Sequence, residues 1–176
     1  MKVSSVIAGA SAALVAFQAA LYASHGEADL LRPPGAHGEK DFASRCVKCG
    51  KCMEACPYIA IKPARDDAGA AVGTPMIDAR AQACRLCEDF PCVEACPTNA
   101  LRDIETRSDV KMGVAVIDED LCIAFQGMRC EVCYRTCPLI DEAITIDYRL
   151  REGDAIHSVF APVIDEDKCV GCGLCV

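Results

Sequence analysis

Cys46-Val47-Lys48-Cys49-Gly50-Lys51-Cys52-Met53-Glu54-Ala55-Cys56-Pro57 is the stretch on which the fold turns. It reads C-x2-C-x2-C-x3-C-P, and looser copies follow it. Cys84, Cys87, Cys92 and Cys96 with Pro97 give C-x2-C-x4-C-x3-C-P. Cys122, Cys130, Cys133 and Cys137 with Pro138 give C-x7-C-x2-C-x3-C-P. Cys169, Cys172 and Cys175 give C-x2-C-x2-C, one residue before Val176. The four groups use all 15 cysteines of the 176 residues. At that cysteine density a chain is held by crosslinks or metal more than by apolar packing. With no Trp and 5% aromatic residues, few large side chains are available to fill a core. The net charge of −8 excludes a surface built for nucleic acid phosphates.

The spacing has a chemical reading. Three thiolates on one tight loop wrap three irons of a 4Fe-4S cubane, and the cysteine before Pro turns away to ligate a second one. Gly50, Gly171 and Gly173 let backbone N–H groups approach the sulfurs, offsetting thiolate charge and tuning the potential. Zinc explains C-x2-C pairs but neither the third cysteine nor the closing C-P. A disulfide framework leaves one of 15 thiols over and sets adjacent C-x2-C thiols in an unusual role. Haem attachment requires C-x-x-C-H, which is absent.

Repeats extend the pattern. Val116-Ile117-Asp118-Glu119-Asp120-Leu121-Cys122 recurs as Val163-Ile164-Asp165-Glu166-Asp167-Lys168-Cys169. After each C-P comes a small apolar pair: Ala60-Ile61, Ala100-Leu101 and Ala143-Ile144. Each unit reads as short strand, cysteine loop, short helix, short strand. The expected fold is α+β: tandem bacterial-type two-cluster ferredoxin-like modules, loop-rich, with small cores organised by clusters. Residues 46–106 form the first module and 107–176 the second. Ala60 to Lys62 is expected to pair with Pro75 to Asp78, and Ala143 to Asp147 with Val159 to Ile164. The Asp-Glu-Asp stretches read as solvated turns leading into the cysteine loops.

Two ligand schemes are open. Adjacent pairing puts Cys46, Cys49, Cys52 and Cys96 on one cluster, and Cys84, Cys87, Cys92 and Cys56 on the second. Cys137, Cys169, Cys172 and Cys175 then hold the third. Cys122, Cys130 and Cys133 hold the fourth with a cysteine expected beyond Val176. Nested pairing joins group one with group four and group two with group three.

Residues 1–27 are expected to be an export signal or anchor, since Val3 to Ser24 is uncharged and rich in Ala and Ser. Residues 28–45 are expected to be a linker, with Pro33-Pro34-Gly35 as its stiff part. Clusters are assembled before export, so the chain is expected to leave folded by a twin-arginine route. Met1-Lys2 would then close a twin-arginine element whose start lies upstream.

Several stretches carry a family resemblance. They are Leu31-Arg32-Pro33-Pro34-Gly35-Ala36, Phe42-Ala43-Ser44, the Glu88-Asp89-Phe90-Pro91 insert and the Phe125-Gln126-Gly127-Met128-Arg129 insert. Over residues 31 to 176 the chain resembles the MauM/NapG family of ferredoxin-type proteins, and the inserts fit the NapG type better than the MauM type. The resemblance implies a periplasmic, membrane-associated protein working with a membrane-bound NapH-like iron–sulfur quinol dehydrogenase. Electrons would pass to a periplasmic cytochrome or to nitrate reductase. The alternatives are methylamine utilisation, and a cytoplasmic protein that matures a reductase by donating clusters.

From the residues themselves, the work expected is electron conduction with no catalytic site. There is no G-x-G-x-x-G and no P-loop. His25, His37 and His157 share no motif and read as surface residues. Tyr58, Phe90, Phe125 and Tyr134 sit beside cysteines and are expected to seal clusters from water. Arg129 and Arg135 either raise a cluster potential or pair with surface carboxylates.

Overall fold

The computed structural model describes residues 30–151, 153, 156 and 158–176. The expected signal or anchor at 1–27, and His25 and His157, lie outside the described residues. The chain is a mixed helix and strand structure: α1 (Glu39–Arg45), α2 (Lys51–Ala55), β1 (Ile61–Pro63), β2 (Pro75–Ile77), α3 (Pro91–Glu94), α4 (Val132–Thr136), β3 (Ile144–Leu150) and β4 (Ser158–Ile164).

The helices are short because the cysteine motifs end them. A residue before proline is pushed from helical to extended backbone. Cys56 before Pro57 and Cys137 before Pro138 therefore close α2 and α4 in extended conformations. Helix α3 begins on Pro91, whose missing N–H costs nothing at a first helical position.

Both expected strand pairs form. Strands β1 and β2 run antiparallel with Ile61 opposite Ile77. Strands β3 and β4 run antiparallel from Ile144 opposite Ile164 to Leu150 opposite Ser158. The inner end of the longer hairpin is buried through Ile144 and Ala161, while Tyr148 and Leu150 at the outer end are exposed. Tyr148 and Phe160 face each other edge to face there at 5.2 Å. The strand expected after group two shrinks to one bridge between Leu101 and Ala36. Val116-Ile117, preceding group three, belongs to no strand, and Val116 stands in solvent.

The stretch read as a linker is built into the body from Leu31 onward. Pro33 and Pro34 are fully buried, as is Phe42 on α1. The Ile77 amide donates to the Leu31 carbonyl and the Arg102 amide to the Gly35 carbonyl, each at 2.8 Å. Gly35, at φ +80°, lies so close to Arg102 that a Cβ would fall 2.4 Å from its carbonyl oxygen. Arg32 is buried and fixes this strap. It donates to Thr74 Oγ1 at 2.7 Å and the Pro75 carbonyl at 2.9 Å, and forms a two-point ion pair with Glu39. Its guanidinium lies 4.7 Å from the centre of the Phe42 ring.

One core joins these parts. Phe42, Ile61, Ile77, Leu86, Phe90 and Leu101 pack with Val170 and Cys172, so the fourth cysteine group enters the core of the first half.

Candidate metal centres

The cysteine loops share a backbone pattern. In the first, second and fourth groups the residue before the second cysteine is left-handed: Lys48 at φ 55°, Leu86 at 47° and Gly171 at 70°. Only one of the three is glycine, so the turn geometry is imposed on Lys48 and Leu86 against their preference. Leu86 offsets this by complete burial.

Asp turns lead into the loops. Asp118 Oδ1 accepts from the Asp120 and Leu121 amides, and Asp165 Oδ1 accepts from the Asp167 amide. The backbone carbonyls of Asp118 and Asp165 accept from the Cys122 and Cys169 amides. These are the turns expected of the Asp-Glu-Asp repeats. A third was missed: Asp78 Oδ1 accepts from the Arg80 and Ala81 amides ahead of Cys84. Two extra residues separate that Asp from its cysteine, which hides the repeat, though Ile77-Asp78 was the available signal.

The folded loops enclose three cavities. The first is lined by Cys46, Cys49, Cys52 and Cys96, with Phe42 and Leu101. The second is lined by Cys56, Cys84, Cys87 and Cys92, with Pro34 and Phe90. The third is lined by Cys137, Cys169, Cys172 and Cys175, with Leu139, Ile144 and Leu174. Each wall holds four thiols in an otherwise mostly apolar lining, and the sets are those of adjacent pairing. Cys122, Cys130 and Cys133 line none of these three cavities; burial first, and the charges of Cys122 and Cys130 next among the raising causes, push the Cys133 thiol up.

The thiol chemistry fits a polynuclear thiolate-bound centre. Burial first, and neighbouring cysteines next, push Cys52 up to about 11 and Cys92 up to about 12. Burial is also the main cause that raises Cys84 and Cys175, each to about 11. Four such thiols do not ionise side by side unless a cationic centre replaces their protons. Cys96 moves the other way. Burial opposes the shift, but hydrogen bonds from the Leu101, Thr98 and Ala100 backbone and the Thr98 hydroxyl outweigh it. Amides also aim at sulfur elsewhere: Ala60 N–H to Cys56 Sγ at 3.4 Å, Leu86 to Cys84 at 3.5 Å and Ala115 to Cys169 at 3.4 Å. Gly171 and Gly173 serve close packing of the loop rather than sulfur alone. A Cβ on Gly171 would fall 2.4 Å from the Gly113 nitrogen, and one on Gly173 would fall 2.4 Å from the Ala79 Cβ.

The flanking residues separate into two kinds. Phe90 is buried in the wall of the second cavity, and Tyr58 covers the same cavity while half exposed. Phe125 lines a different, open groove with Arg149 and Pro162. Tyr134 is half-buried, and its hydroxyl donates to Asp141 at 2.6 Å at the surface. Arg129 and Arg135 both pair with Glu131 at the surface. His37 bonds the Asn99 carbonyl through its ring at 3.1 Å and lines none of the three four-cysteine cavities.

This is the thiol arrangement of a ferredoxin-type iron–sulfur protein, and the 4Fe-4S dicluster domain family matches residues 45–100 and 128–176. The chain belongs to the NapG/MauM family of ferredoxin-type proteins. It is 46% identical over 147 residues to the ferredoxin-type protein NapG of Escherichia coli (strain K12), covering 82% of this chain and 64% of that one. It is 42% identical over 155 residues to the methylamine utilization ferredoxin-type protein MauM of Methylorubrum extorquens, covering 87% and 69%. MauM of Methylobacillus flagellatus is 45% identical over 152 residues, covering 84% and 63%. The chain thus spans about two thirds of these relatives. No solved structure matches it. Among the described residues no helix is long and apolar enough to cross a membrane.

Proposed function

We propose that this chain is a tandem pair of two-cluster ferredoxin modules that relays electrons singly between partners. The carrying observation is the set of three cavities, each lined by four cysteines drawn from two motifs. Cys46, Cys49, Cys52 and Cys96 hold one 4Fe-4S cluster, Cys56, Cys84, Cys87 and Cys92 the second, and Cys137, Cys169, Cys172 and Cys175 the third. Cys122, Cys130 and Cys133 hold a fourth, completed by one further cysteine. The bound clusters supply reversible one-electron exchange. The chain's own residues do the rest: amides on the sulfurs favour the charged thiolate form, and Phe90, Leu101 and Leu174 keep water from the walls.

The likeness to NapG supports a place in a Nap system, and our reading is delivery from membrane quinol. A NapH-like membrane partner would supply electrons, and a periplasmic cytochrome or nitrate reductase would accept them. The protein is then periplasmic, membrane-associated and exported folded, which the uncharged Val3 to Ser24 run supports. MauM stands as close in identity, so methylamine utilisation is the second destination. Anaerobic purification of the full-length protein tests the core of this reading. Iron and sulfide at about four each per cluster are expected, with a brown colour that bleaches on reduction. A folded, colourless protein carrying zinc overturns it. Mixing the reduced protein with a nitrate reductase system and with an amine dehydrogenase system, and recording which reoxidises it, separates the two destinations.

A further inference from the structure

The loops of groups two and four meet at one point. The Cys84 amide donates to the Cys172 carbonyl at 3.0 Å. Cys84 lines the second cavity and Cys172 the third. The surrounding backbone is drawn in to the same place. Gly173 at φ +82° presses on Ala79, and Gly171 at φ +70° presses on Gly113, each leaving no room for a Cβ. The Met112 amide adds a bond to the Val170 carbonyl at 3.1 Å. The other neighbours are local: Cys52 of the first set and Cys92 of the second share one buried cluster on helices packed together, and Cys133 lies on α4, the helix that Cys137 of the third set closes.

Resting on the reading that each four-cysteine set holds a cluster, we propose that the sets stand in single file. The order is first, second, third, then the Cys122 set, and the Cys84–Cys172 hydrogen bond is the joint between the halves. An electron lost at the second set is gained at the third, with no bond made or broken and no proton moved. Ligand cysteines at both ends of one hydrogen bond give a bonded path with only one non-covalent step. Gly173 is a positioning residue: it lets the group-four loop come close enough for that bond. The order also makes the first set and the Cys122 set the two ends, so donor and acceptor meet opposite ends of the molecule.

The test uses the full-length, cluster-loaded protein reduced with dithionite and read by electron paramagnetic resonance. Cys49→Ser and Cys87→Ser assign the signals of the first and second sets. Cys175→Ser, confirmed by the loss of about four irons, should remove spin–spin broadening from the second signal and leave the first unchanged. Gly173→Ala should keep full iron content yet weaken that broadening. Adding Ala79→Gly, which removes the opposing Cβ, should restore part of it. Narrowing of the first signal by Cys175→Ser, or no narrowing of either, overturns the single file. Unchanged broadening in Gly173→Ala overturns the joint. Wild-type protein without iron fails the underlying reading instead, and the iron assay tells that failure apart.

Discussion

The two halves of the molecule close their cysteine cavities in different ways. In the first half, Phe42, Ile61, Ile77, Leu86 and Phe90 pack into one buried cluster, and the Arg32 strap clamps it from outside. Both cavities there have four thiols from local sequence. The second half has a longer hairpin but much less interior. Val116, Leu121, Met128 and Val132 around group three are all exposed, and its Phe125 and Phe160 are only partly buried where Phe42 of the first half is fully so. Its one four-cysteine cavity leans on the first half through Val170 and Cys172. The difference teaches that the same motif can rest on an apolar core or depend almost wholly on its metal.

Removing the clusters should widen this contrast most. Oxidative loss of iron under chelation should leave slowly exchanging amides at Ile61, Ile77 and Leu86, while protection across β3 and β4 collapses. Hydrogen exchange reads both, and equal loss in the two halves would erase the distinction. Next comes Phe42→Ala. Emptying a site of this kind costs about 3–5 kcal/mol, and the first-half transition in a denaturant titration should shift accordingly. Arg32→Ala should cost about 3 kcal/mol, because it strands Glu39 and Thr74 in a partly closed site. An Arg32→Lys variant should recover only part, since one ammonium cannot replace the two-point pair. On the second half the effects shrink. Tyr148→Ala should cost about 1 kcal/mol or less, the value of one exposed cross-strand aromatic pair. Arg129→Gln should leave every cluster potential unmoved in a redox titration, because that guanidinium is about 70% exposed and its charge is screened by water and salt.

Much of the site was legible because cysteine spacing and C-P closure state the chemistry directly. The hairpins were legible too, since the runs Ala143 to Asp147 and Val159 to Ile164 are rich in β-branched residues with the turn between them. What stayed hidden was written in long-range contacts. Arg32 reads as a charge in a proline-rich connector, and only the fold brings Thr74, Pro75 and Glu39 around it. Lys48 and Leu86 give no sign of a left-handed backbone, whereas Gly171 at the equivalent place does. The choice between adjacent and nested schemes was also open in the sequence, because both satisfy the same spacing. The structure groups the thiols in the adjacent way by placing α2 against α3 and pairing β1 with β2.

Interleaved ligands carry a consequence for biosynthesis. As the chain emerges from the ribosome, the second set is complete at Cys92, four residues before Cys96 completes the first. The third waits for Cys175, although its Cys137 emerges long before. Cofactor delivery to the leading portion can therefore start during translation, whereas the third set stays open to its delivery machinery until Cys175 has emerged. A product stalled between Cys137 and Cys169 would keep two complete four-cysteine sets, with Cys122, Cys130, Cys133 and Cys137 still waiting for their companions.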